Sequence, residues 1–289
     1  MNCRSLVLLV LLSALMAFGC GKRIESSAQA AGMRAVSLSP AITDIMFDIG
    51  LGEKIVGVSK YCILPRGIRR AVVGNMMTVD TEALLSVKPT HVFFQGPRGR
   101  FRNLKRFNTK IRLESFKIET ISDILRSARK IGEIAGRPGL AENTISSFQA
   151  KIAAVAAMVA GLGKRRVAFI LGMGSYETMA AGPGTFIDDL ITTAGGINVG
   201  RDLPGRQVWR KTNTESLLAT KPEVLICQID PSEKSGGERA RQKWSRYIDQ
   251  PQIGLKRVEI VSDRRWTFPS TRIAEIALPL AKILHPSLP

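Results

Sequence analysis

Histidine is almost absent from this chain: His91 and His285 are the only two in 289 residues. There are four cysteines and no CxxC pair, so no zinc-ligand pattern exists. HExxH, GxSxG and GxxxxGK[ST] are all missing, which removes the zinc proteases, the nucleophile-elbow hydrolases and the phosphate-loop nucleotidases. Aromatic residues make up only 6%, a low fraction for the base stacking that nucleic-acid binding requires. Acid is scarce as well, 24 Asp and Glu against 42 Lys and Arg, for a net charge of +18 that suits anionic partners. The apolar stretch Leu6 to Phe18 is 13 residues, short of the roughly 20 that cross a bilayer. With Arg4 ahead of it, it reads as a cleaved export signal.

The stretch ends in Ala17-Phe18-Gly19-Cys20, similar to a bacterial lipoprotein processing site with Ala17 where Leu is usual. Residues 1–20 are thus read as a lipoprotein signal, Cys20 as the lipid anchor, and the small, polar residues 21–33 as a tether. The competing reading is an ordinary secreted protein with an incidental Cys20. Cys62 and Cys227 remain in the body of the chain and are expected to be unpaired, Cys227 because it lies within an apolar strand pattern.

What the chain does have is a phrase said twice. Asp80-Thr81-Glu82-Ala83-Leu84-Leu85-Ser86-Val87-Lys88-Pro89 returns 133 residues later as Asn213-Thr214-Glu215-Ser216-Leu217-Leu218-Ala219-Thr220-Lys221-Pro222. Each copy opens on an N-cap residue, continues as a short apolar helix, and stops at proline. Strand formers follow, His91 to Gln95 and Val224 to Ile229. A period this long is domain-sized, unlike a solenoid unit of 20 to 50 residues, and two similar lobes commonly flank a cleft.

Around the repeat, strands alternate with helices, the pattern of an α/β protein with mainly parallel sheets. The N-terminal lobe covers residues 34–137 and begins with the strand Arg34 to Leu38, then Ser39-Pro40 as cap and first helical residue. Residues 138–163 read as one long helix joining the lobes, Ala-rich and apolar at Ile145, Phe148, Ile152, Val155 and Val159. The C-terminal lobe, residues 164–289, restarts at Arg166, and its Asp189-Leu190 and Gly195 faintly echo Asp44-Ile45 and Gly50. Gly182-Pro183-Gly184-Thr185 reads as a tight turn into a helix, or as a backbone anion site. The basic run Arg98 to Arg106 reads as a solvated face.

Tyr61, Tyr176, Trp209 and Trp266 fall in loops and not at periodic core positions. Loops at the carboxyl ends of parallel strands are where α/β sheets bind ligands, and flat apolar side chains there suit a large, flat, partly apolar ligand.

Taken together, these segments resemble the periplasmic binding proteins of the cobalamin and ferric-siderophore class. The resemblance rests on Val36 to Ile45, Ile55 to Val58 leading to Tyr61, Thr81 to Pro89, Ala181 to Phe186 and the recurrence at Glu215, and runs from Arg34 onward. It implies two α/β lobes with a ligand cleft between them, joined by a single long helix. It places Tyr61, Trp209 and Trp266 against a corrin and puts Met76 and Gln95 where cobalamin binders can carry Trp. Tyr176 joins them as a cleft residue. It assigns Glu82 and Glu215 to docking on the two subunits of an ABC importer permease. Approximate twofold symmetry makes that sensible, since one chain then presents matching charges to a symmetric dimer.

The expectation is a non-enzymatic, monomeric, exported lipoprotein anchored to a bacterial membrane. It captures cobalamin or a related corrinoid and hands it to an ABC importer, with no cofactor, no bound metal of its own and no nucleic-acid partner. A ferric siderophore or haem is the alternative ligand, for which Arg98, Arg206, Arg210, Arg264 and Arg265 are the candidate contacts. From other classes come an exported enzyme or chelatase using Asp188, Asp189 and Asp263, and a surface adhesion or envelope-structural protein.

Overall fold

A computed structural model describes residues 32–172, 178–233 and 235–289. The expectations for the leader, Cys20 and Tyr176 lie outside the described residues. Among these residues no helix is long and apolar enough to cross a membrane.

The N-terminal lobe is a five-stranded, all-parallel sheet of order β3-β2-β1-β4-β5, from Ala35–Ser37 (β1), Ile55–Val58 (β2), Ala71–Val72 (β3), His91–Gln95 (β4) and Arg112–Phe116 (β5). Helices Pro40–Asp48 (α1) and Thr81–Ser86 (α2) cross between strands, and Ile121–Ile134 (α3) follows the last of them. The expected start of α1 is observed: Ser39 caps it, its side chain accepting from the Ile42 N–H, with Pro40 at the first turn. The long helix Pro138–Met158 (α4) follows and would extend roughly 30 Å. It stops short of the expected residue 163, because Gly161 turns the chain at φ 82°.

The C-terminal lobe contains Arg165–Leu171 (β6), Thr178–Ala181 (β7), Phe186–Thr193 (α5), Gly196–Asn198 (β8), Trp209–Thr212 (β9), Thr214–Ala219 (α6), Val224–Gln228 (β10), Gly236–Ser245 (α7), Arg257–Val261 (β11) and Ala274–Leu284 (α8). Its parallel core, β8-β6-β10-β11, copies β2-β1-β4-β5, down to register: the Ala35 to His91 pairing recurs as Val167 to Val224. The departure from a parallel sheet is local. The first residues of β6 pair with β8, its last two with antiparallel β7, and β7 with antiparallel β9, so two antiparallel strands extend the sheet at one end.

Three apolar clusters hold this together. One lies on the outer face of each sheet, around Val36, Leu84 and Phe94 in one lobe and Leu217, Leu225 and Trp244 in the other. The third runs through both lobes, from Ile42, Ile45 and Phe93 through Phe148 of α4 to Phe169, Ile187 and Leu280. Each lobe therefore buries apolar side chains against the other as well as within itself, and burial of this kind is the dominant force holding a fold. Cys62 and Cys227 are free thiols, as expected, and burial pushes Cys227 up to about 12.

Candidate functional site

The short helix of each repeat is built as the sequence implies. The Asp80 carboxylate accepts from the Ala83 N–H at 3.0 Å, and the Asn213 side chain accepts from Ser216 N–H at 2.8 Å. Leu84 and Leu217, at matching positions, are fully buried, while Glu82 and Glu215 are exposed. Negative charge in a helix's first turn also meets the favourable end of its dipole.

At the carboxyl ends of β4, β5, β6 and β11 the lobes face each other across an apolar cavity of about 300 Å³. Met76, from the turn after β3, and Gln95, the last residue of β4, stand on one side with Ile118 and Glu119. Trp209 at the start of β9 and Met179 on β7 stand opposite, with Phe268 and Pro269. Gln95 is held in place: its Oε1 accepts from Ser39 Oγ at 2.7 Å, and its Nε2 donates to the Ile118 carbonyl at 3.4 Å. The antiparallel pairing of β9 with β7 is what brings Trp209 here, tilted at 58° against Phe169.

Of the residues expected in the cleft, Met76, Gln95 and Trp209 line this cavity. Trp266 does not. It is 4% exposed and stacked on Phe169 at 6.1 Å between ring centroids, so it belongs to the core. The cause is a 3-10 turn, Arg264–Trp266, capped by Asp263 accepting from the Arg265 N–H, which rolls Trp266 inward and turns Phe268 toward the cavity. Tyr61 is 45% exposed with the Lys60 ammonium 5.0 Å from its ring, outside the cavity wall. Sequence reasoning missed Ile118, Met179, Phe186, Phe268 and Pro269. The signal available was position alone, each lying at or near the end of a strand or the start of a helix.

Phe268 also borders a second, charged groove of about 520 Å³, lined by Asp44 and Asp48 of α1 and by Asp263, Arg264, Arg265 and Arg272. Across it the lobes are latched. Asp48 Oδ2 accepts from Thr271 Oγ1 at 2.6 Å, its Oδ1 accepts from Arg272 Nε at 3.2 Å, and Arg272 lies 3.6 Å from Asp44. Burial lifts the Asp44 carboxyl from 3.8 to about 6, the Arg272 cation opposing that rise and the Asp48 charge adding to it. The echo of Asp44 in the other lobe does the reciprocal thing: Asp189 Oδ2, on α5, accepts from the Ile121 N–H at 2.8 Å at the start of α3. Its carboxyl is raised by burial too, against the pull of that hydrogen bond. Each lobe's first helix thus grips the start of the other lobe's last helix.

The candidate arginines separate. Arg265 is taken by Asp263 and Glu275, and Arg210 donates to the Leu203 and Gly205 carbonyls. Arg98 and Arg206 are exposed and line neither opening between the lobes. Arg264 lines the charged groove, its guanidinium 5.7 Å from the Phe268 ring centre. The carboxylates of the enzyme reading are each engaged elsewhere: Asp188 is bonded to Asn198 and Arg201, Asp189 accepts from the Ile121 N–H, and Asp263 holds Arg265. The basic run Arg98 to Arg106 is anchored by buried Phe101 and Leu104, with most of its cations in solvent, a solvated face as expected.

Two α/β lobes, a bracing helix and an apolar cleft at the carboxyl ends of strands define a ligand-capture architecture with no assembled catalytic constellation among the described residues. The profile of the periplasmic binding protein family matches residues 36–243, and the chain belongs to that family. The cobalamin-binding protein of Halobacterium salinarum (strain ATCC 29341 / DSM 671 / R1) is 27% identical over 68% of this chain, which spans about half, 54%, of that relative's length. The vitamin B12-binding protein of Salmonella typhimurium is 27% identical, covering 78% of this chain and 82% of that one. Among solved structures, the apo periplasmic haem-binding protein RhuT of Roseiflexus sp. RS-1 superposes with a TM-score of 0.74 at 24% identity, over 89% of this chain and 99% of that one. The periplasmic vitamin B12-binding protein BtuF of Vibrio cholerae superposes at 0.71 and 18% identity, over 87% and 96%. At those identities the two structures speak for the fold.

Proposed function

We propose that this chain captures cobalamin or a related corrinoid in the cleft between its lobes and delivers it to an ABC importer without chemical change. The observation that carries the reading is the apolar cavity shared by both lobes, where Trp209, Phe268, Met76 and Met179 offer flat or polarizable surfaces to a large ring. The names of the relatives point the same way. In this reading the leader is removed, Cys20 carries the lipid that holds the chain at the membrane, and Glu82 and Glu215 dock on a permease dimer. Capture involves a small closure, because the core running through both lobes and the two carboxylate latches oppose a large one.

Haem is the second reading, and Arg264 is the observation that favours it: a guanidinium on Phe268, at the border of the apolar cavity, suits the carboxylates of a haem. The test is parallel incubation with cyanocobalamin, haemin and a ferric siderophore, followed by absorption spectra and native mass spectrometry. One chelate bound stoichiometrically and recovered intact is the expected result. Binding of none of them, or recovery of an altered product, refutes the proposal.

A further inference from the structure

Outside the cleft, one contact occurs twice with the same atoms. Helices α2 and α6 are six residues each, too short to hold an orientation alone, and a helix's last carbonyls lack partners within it. Both end in a lysine in the left-handed region, Lys88 at φ 44° and Lys221 at φ 51°, conformations that disfavour a side chain. These are two of only three such non-glycine residues among those described. In each lobe an arginine reaches these ends. Arg34 donates from Nε to the carbonyls of Val87 (3.2 Å) and Lys88 (3.1 Å), and from Nη2 to Val87 (2.8 Å). Arg166 donates from Nε to the Lys221 carbonyl (3.1 Å) and from Nη2 to Thr220 (2.6 Å).

The arginines are themselves held alike, by the residue after each proline. Thr90 Oγ1 accepts from the Arg34 N–H at 2.9 Å, and Glu223 Oε2 accepts from the Arg166 N–H at 3.0 Å. The amides of the same two residues donate back, Thr90 to the Arg34 carbonyl and Glu223 to that of Arg166. A planar fork with fixed donors suits two adjacent carbonyls, which a lysine's single ammonium does not reproduce. Arg34 stands one residue ahead of β1 and Arg166 is the second residue of β6, so each fork ties the helix end to the middle strand of its sheet.

We infer that Arg34 and Arg166 are positioning residues for transporter docking: their forks hold α2 and α6 so that Glu82 and Glu215 keep a fixed spacing and direction for a dimeric partner. The inference rests on the docking reading of those two glutamates. Neither arginine lines the apolar cavity, so ligand capture proceeds without the forks.

The test replaces the wild-type chain in the source cells by Arg34→Ala with Arg166→Ala, by the double Lys variant, and by Glu82→Lys with Glu215→Lys. Uptake of labelled cyanocobalamin and of haemin is measured beside the affinity of each purified protein for the same chelate. The double Ala variant is expected to lose at least roughly tenfold in uptake with affinity within about twofold of wild type, and the Lys variant to recover only part. Uptake unchanged in the double Ala variant while the Glu variant fails overturns the inference and leaves the docking reading standing. Uptake unchanged in the Glu variant overturns the docking reading and the inference with it, as does uptake of neither chelate by wild type. Affinity falling in step with uptake also overturns it, since the arginines would then be general supports of the fold.

Discussion

Replacing Asp44 by Asn removes a charge that the lobe interface resists, and the effect on stability should depend on pH in a defined direction. Asp44 meets Arg272, Asp48, Ser270 and Arg264, and burial outweighs the cations, holding its carboxyl at about 6 in place of 3.8. A carboxyl raised on folding contributes its stability in the protonated form. That contribution is complete below about pH 4 and disappears as pH rises through about 6. At about 1.4 kcal/mol for each tenfold change in the ionisation constant, the rise corresponds to about 3 kcal/mol. Asn keeps the shape and cannot ionise, so the unfolding free energy of Asp44→Asn minus that of wild type should grow by about 3 kcal/mol between about pH 4 and pH 8. Urea unfolding at closely spaced pH values reads this directly, and the core that spans both lobes favours a single transition. A difference that stays flat with pH would refute the burial argument, and one that shrinks as pH rises would make the Arg272 pairing the dominant influence.

Trp209→Ala should weaken chelate binding roughly tenfold while leaving unfolding nearly unchanged, whereas Trp266→Ala, which empties a core site, should cost about 3 to 5 kcal/mol in unfolding. Titration and urea melts of both proteins separate the two, and equal binding loss with equal stability would contradict their placement. Glu82→Lys combined with Glu215→Lys should abolish uptake and leave stoichiometric capture intact, because both side chains are exposed and outside the cavity. Gly200→Ala should destabilise by about 3 kcal/mol, since an added Cβ runs into the Ala181 carbonyl oxygen behind the cavity; a melt at wild-type temperature would show that the turn yields freely.

Much of the fold was legible because its signals are local. Ser39-Pro40, Asp80 and Asn213 announce helix starts by the hydrogen bonds their side chains can make, and each is observed as a cap. The repeat of ten residues implied two lobes, and the matching register of β1 with β4 and β6 with β10 follows from it. Asp189 was visible as an echo of Asp44, but nothing in either segment tells which helix end its carboxylate would meet. Trp266 and Phe268 could not be told apart in sequence: a single 3-10 turn decides which of the two rings faces the core.

The sequence by itself determined the two-lobed α/β plan, the bracing helix and the placement of the two glutamates at helix starts, because caps, breakers and periodicity act over a few residues. The tertiary structure alone decided which side chains border the cavity, how Asp44 and Asp189 latch the lobes, and how Arg34 and Arg166 grip the helix ends. Those contacts join residues about 50 to more than 200 positions apart, and burial, which sets both packing and ionisation, exists only once the chain has closed on itself.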